Sequence, residues 1–270
     1  YEIGEDREDG LRYVDLLDMS MCSKILDWTN AAESFVKGGS SSQIWELKES
    51  GQDVSELERA ALKSLHDLTS CLNTCKGKSN ESSDKSIQKA YEDFRMHYDR
   101  LCESHTSISE APLLRLFERI ESDLDVFRQK LFFWKDGRRI DLNCTATGMA
   151  AVDWAVRKNL TQLGFTALKE TIVTCMCERY QAPAEDRTVR NTTVWDILRD
   201  MAGQYEALEK RGDMHMDRQW FCDHKLMTTP YRTELSCMIM EIPEELLRVT
   251  ARIMRFRDAL NDFGFSENEK

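Results

Sequence analysis

"PLLRLFERIESDLDVFRQKLFFW", residues 112–134, contains no glycine and sets Leu113, Phe117, Ile120, Leu124, Phe127, Leu131 and Trp134 three or four positions apart. That period lines these side chains along one face of a helix, and Pro112 suits the first helical turn, where its missing N–H leaves no bond unmade. The spacing predicts one long helix, closed by a turn at Asp136-Gly137. Leu114, Leu116, Val126, Phe132 and Phe133 fall off the main stripe, so the apolar surface is wider than a single seam requires. Such a helix is either central in a bundle or covered by a partner.

The same period recurs on both sides of this stretch. Leu11, Val14, Leu17, Met21, Ile25, Trp28, Ala32 and Phe35 form a stripe that "KGGSSS" at 37–42 ends, and a short helical piece follows around Ile44 to Leu47. Asp53 followed by Glu56 has the form of a capping box, opening a heptad-like stripe from Val54 through Leu57, Ala61, Leu65, Leu68 and Leu72 to Cys75. A polar loop at 76–85 precedes a helix through Ile87, Tyr91, Phe94, Tyr98 and Leu101. Further helices are expected from Val152 to Leu163, stopping at Gly164, then through Leu168 to Met176, Trp195 to Leu208, Tyr231 to Glu241, and past Pro243. Residues 211–230 fit neither the helical nor the strand period and read as a loop with a short helix.

These segments make about eight helices, with strands scarce. The long stripes at 11–35, 54–75 and 113–134 keep a near-3.5 period, which favours shallow crossing angles. The expected fold is therefore all-α: an elongated antiparallel helical bundle with coiled-coil-like packing. It divides into an N-terminal helical bundle, 1–137, and a C-terminal helical region, 138–270, or runs as one continuous domain. With 12 Gly and 4 Pro in 270 residues, sandwich, barrel and collagen-like architectures are poor fits.

A net charge of −11 repels polyphosphate and anionic membrane, so a protein partner is expected rather than nucleic acid. No window approaches the 18 or so uninterrupted apolar residues of a membrane span, and the acidic start "YEIGEDREDG" has neither the basic nor the apolar part of a secretory leader.

Motifs of known chemistry are few. "GKS" at 77–79 has the end of a phosphate-binding loop, but position 72, where that loop needs glycine, is Leu. Dinucleotide-binding, nucleophile-elbow, zincin and calcium-loop patterns are absent from the sequence, and no cofactor is implied. His215, Cys222 and His224, interleaved with Asp213, Asp217 and Asp223, are ligand types that zinc accepts, against a spacing that matches no compact zinc motif. Cys71 and Cys75, one turn apart beside His66, read as small buried hydrophobes.

Nine cysteines, an odd number with several inside helical stripes, suit a reducing cytoplasmic or nuclear compartment. Four N-x-[ST] sequons, at Asn80, Asn143, Asn159 and Asn191, point instead to a secreted or luminal glycoprotein, although Asn159 is read as mid-helix, an awkward place for a glycan. Arg248, Arg252 and Arg255 share a helix face, either docking an acidic group or complementing the helix dipole. Trp220-Phe221, in the irregular segment, is the candidate exposed aromatic anchor.

The function expected is a non-enzymatic interaction or scaffold module of an intracellular complex. It would seat a partner helix or peptide, or a second copy, on an apolar face that includes Phe132, Phe133, Trp220, Phe221 and the three arginines. The alternatives are an all-α enzyme or metal-binding domain using the 213–224 loop, and a secreted helical glycoprotein.

Overall fold

The computed structural model describes residues 19–49, 55–75, 86–104, 111–135, 137–212 and 215–261. Leu11, Val14 and Leu17, Asp53, the loop at 76–85 with Asn80, Asp213 and Phe263 lie outside the described residues. The first helices are α1 (Ser20–Gly38), α2 (Ser42–Glu49), α3 (Glu56–Asn73), α4 (Ile87–Ser104) and α5 (Ala111–Leu124). A 3-10 turn, Asp125–Arg128, then leads to a two-stranded antiparallel ribbon of β1 (Phe132–Lys135) and β2 (Arg138–Asp141). The chain continues as α6 (Asn143–Arg157) and α7 (Thr161–Tyr180), followed by a π-helical turn, Val189–Trp195. It closes with α8 (Asp196–Arg211), α9 (Arg218–Lys225), α10 (Arg232–Glu241) and α11 (Glu244–Asn261). The fold is all-α, with eleven α-helices among the described residues against the eight or so expected; none is long and apolar enough to cross a membrane.

Local chemistry sets several boundaries. The α3 capping box is Ser55 with Glu58, two residues beyond the expected Asp53–Glu56 pair: Ser55 N–H donates to Glu58 Oε2 at 2.7 Å and Glu58 N–H to Ser55 Oγ at 3.3 Å. The break expected at Gly164 falls earlier, because Asn159 adopts a left-handed φ of 56° and ends the α6 turn there, leaving Gly164 inside α7. Asn159 is thus in an exposed turn, not mid-helix. Within 211–230, read as a loop with a short helix, residues 218–225 form α9: Asp217 Oδ1 caps its start by accepting Trp220 N–H at 3.0 Å, and Arg218 donates to the Ile239 and Met240 carbonyls at the end of α10.

Two packed helix pairs run antiparallel, as their contacts show by reversing order. Thr145 meets Glu178, and a Cβ placed on Gly148 or Gly164 would meet Thr171 or Ala155, so α6 and α7 form a hairpin. The Glu178 carboxylate accepts the Cys144 and Thr145 N–H groups, both at 3.0 Å, capping the free α6 start from across the pair. Tyr205 and Glu209 meet Arg248 while Glu206 meets Arg255, so α8 and α11 are also antiparallel.

Two apolar clusters form the interior. The first runs from Ala31 and Phe35 through Leu65, Leu68, Phe94, Phe117 and Leu124 to Trp154 and Ala167. The second begins at Ile172 and gathers Met176, Cys177, Leu198, Met201, Phe221, Leu235, Met238 and Leu247. α7 is buried or half-buried along most of its length, and it passes from one cluster to the other between Ala167 and Ile172. Beside the first cluster, Lys158 is buried with Nζ 2.8 Å from both Asp123 carboxylate oxygens and bonded to the Val36 carbonyl, joining the ends of α6, α5 and α1.

Candidate functional site

The stripe at 112–134 is helical only in part. Phe117, Ile120, Leu124 and Phe127 are buried as the spacing predicts, but α5 stops at Leu124 and Gln129 turns extended at φ −63°, ψ 138°. Beyond it Phe132, Phe133 and Trp134 are strong strand formers, and Asp-Gly is by sequence a preferred hairpin-turn pair; Asp136 lies outside the described residues, and Gly137 takes φ +71°. Hairpin chemistry therefore wins over the continuing helical period. The pairs are Phe132 with Asp141, Phe133 with Ile140, Trp134 with Arg139 and Lys135 with Arg138, and Leu142 N–H extends the ladder to the Leu131 carbonyl at 2.8 Å.

Strand alternation separates the ribbon's two faces. Ile140 and Lys135 are half-buried, with the Lys135 ammonium 5.6 Å from the Tyr180 ring at the end of α7. The opposite face carries Phe132, 49 % exposed, and Trp134, 66 % exposed, beside Arg139 and Asp141. The Arg139 guanidinium lies 4.4 Å from the Phe132 ring centre and its Nε donates to Asp141 at 2.7 Å, so the Phe132 face is braced rather than collapsed. Burying each aromatic against a partner is worth roughly 2 kcal/mol. The Phe133 side chain lies outside the described residues.

The other candidate residues are placed differently. Phe221 is buried in the second cluster and offers no surface, a correction that follows from α9 turning it inward. Trp220 is 44 % exposed, but one face stacks on His224 at 4.6 Å and its edge meets Phe221 at 5.2 Å. His224 Nδ1–H donates to the Trp220 carbonyl at 2.8 Å, and Cys222 points into the core. Among the described residues no three His, Cys, Asp or Glu side chains gather closely enough to hold a metal ion, so His215, Cys222 and His224 do not form the expected set: α9 fixes the last two for packing. Arg248 is paired with Glu209 and Tyr205, and Arg255 with Glu206, so these two clamp α11 to α8 while Arg252 stands exposed.

A cleft of about 820 Å³ opens between α3, α6, α7 and the π-helical turn. Its ionic pair is internal: Arg190 donates to the Glu170 carboxylate at 2.8 Å, to Thr174 and to the Ala184 and Glu170 carbonyls. Burial alone would raise the Glu170 carboxyl, but the Arg190 hydrogen bond and Lys169 bring it below the usual carboxylate range. Burial, and then the Glu170 charge, push the Cys75 thiol up. The Arg190 and Lys169 charges thus favour the ionised Glu170 carboxylate, and burial favours the Cys75 thiol over its thiolate.

The described residues thus form an all-α fold that carries an exposed aromatic, basic β-ribbon. No protein-family model matches the chain, and no curated protein and no solved structure matches it either.

Proposed function

We propose that the protein is a non-enzymatic interaction module of an intracellular complex, and that its docking element is the ribbon. The observation that supports this is the outward placement of Phe132 and Trp134 on a two-stranded element whose other face rests on the body. Large aromatics are costly to leave in water and dominate interface energetics once covered. Nine cysteines with none paired to another suit a reducing compartment. The test is affinity capture from the native source with the wild-type chain and a Phe132→Ala/Trp134→Ala variant of unchanged melting temperature. A partner held by the first and lost by the second is expected; equal retention would sink the reading.

A second reading, a secreted glycoprotein, is favoured by the exposure of Asn143 and Asn159. Mass measurement before and after glycosidase on natively expressed protein separates the two, since glycosylation at either site places the chain in the secretory route.

A further inference from the structure

We infer that the ribbon takes its partner as a third strand: an extended acidic peptide, apolar at alternate positions, adds to the outer edge of β1. This rests on the ribbon being the docking element and names what docks there. The bond from Leu142 N–H to the Leu131 carbonyl fixes the phase of the ladder, so the hydrogen-bonded pairs are 131 with 142, 133 with 140, and 135 with 138. Phe132 and Trp134 therefore occupy non-bonded positions, where the N–H and C=O of each project away from β2. Among the described residues nothing bonds to these four groups. They form a short open edge of alternating donors and acceptors beside the two exposed aromatic rings.

A peptide backbone matches such an edge donor for acceptor. A phosphodiester chain, with acceptors alone along its backbone, leaves the two carbonyls unanswered, and the whole chain at −11 repels it. The outer edge of β2 presents Arg139 and Asp141 instead of rings, so a strand added there gains no aromatic contact. The charge of the partner follows from the local surroundings. Residues 130–141 hold four basic side chains, Lys130, Lys135, Arg138 and Arg139, against two acidic ones, in a chain that is acidic overall. Asp141 already engages Arg139, which leaves Lys130 and Arg138 exposed for a carboxylate.

The test is fluorescence anisotropy of the full chain with a labelled nonapeptide alternating glutamate with valine and leucine. Its comparators are the lysine-for-glutamate version, two versions N-methylated along one or the other peptide edge, and a nine-nucleotide oligothymidylate. Binding at least tenfold weaker is expected for the lysine version, for the oligonucleotide and for one N-methyl pattern but not the other. Phe132→Pro removes an outward N–H without touching the β1–β2 ladder, so it should lose tenfold or more beyond Phe132→Ala. No binding of the acidic peptide, equal binding of both N-methylated forms, or preference for the oligonucleotide overturns the third-strand inference. The docking reading itself falls separately, if capture of the native partner is indifferent to Trp134.

Discussion

The Lys158 ammonium sits 2.8 Å from each oxygen of the Asp123 carboxylate, with side-chain exposures of only 3 % and 12 %. Only Oδ1 meets hydrogen-bonding geometry, and Oδ2 has no hydrogen-bond partner of its own. A buried pair gains from mutual attraction and loses from desolvation, so its two members are unequal to lose one at a time and nearly neutral to lose together. Lys158→Met should cost about 3 kcal/mol by leaving the buried Asp123 carboxylate with only the half-exposed Arg157 guanidinium, 3.9 Å away. Lys158→Met/Asp123→Leu should recover most of that. Urea unfolding of the single and double variants measures both.

Close approach of α6 and α7 at Gly148 supplies a second prediction. A Cβ there would lie 2.3 Å from Thr171 Oγ1 and 3.0 Å from its Cγ2. Gly148→Ala should destabilise by roughly 1–3 kcal/mol through overpacking, although alanine is the better helix former. Adding Thr171→Ala removes both clashing atoms, so the double-mutant cycle should show a favourable coupling.

Exposure separates two tryptophans that a composition count treats alike. Trp154 is fully buried and Trp134 is 66 % exposed. Trp154→Ala should cost about 3–5 kcal/mol and Trp134→Ala should stay within roughly 0.5 kcal/mol. Thermal melts of both decide it, and comparable losses would mean that the ribbon is packed rather than displayed.

Glu170 gives the pH prediction. Its carboxyl is held below the ordinary value of 4.5 by Arg190 and Lys169 despite burial. A depressed folded-state value adds stability that is complete above the unfolded value and is lost as pH falls through the folded one. Stability of the wild type should therefore drop on acidification below about pH 4.5, and Glu170→Gln should shrink that drop while lowering stability near pH 7. Chemical unfolding at a series of pH values from 7 down to 3 reads the difference.

Much of the architecture is legible from periodicity. The stripes of α3, α4 and α5 are buried where their spacing puts them, including Leu65, Leu68, Phe94, Phe117 and Leu124. What periodicity cannot show is where it stops mattering: Leu131 and Trp134 continue the count of three and four by coincidence, while Asp136-Gly137 between strand formers carries the stronger, local signal. Gly164 misleads in the same way, because an asparagine five residues earlier takes the left-handed turn. Phe132 stands out in sequence as an off-stripe apolar residue, and the structure places it outward for a different reason, the alternation of a strand. Phe221 was indistinguishable from Trp220 without knowing that α9 exists, since an eight-residue helix shows barely two turns of pattern.

The helix that threads both interiors ends at Tyr180, the ring over which Lys135 of the ribbon rests. Ribbon and rod thus meet at a cation beside a ring, which sets a partner seated on the ribbon within a few ångströms of the end of α7.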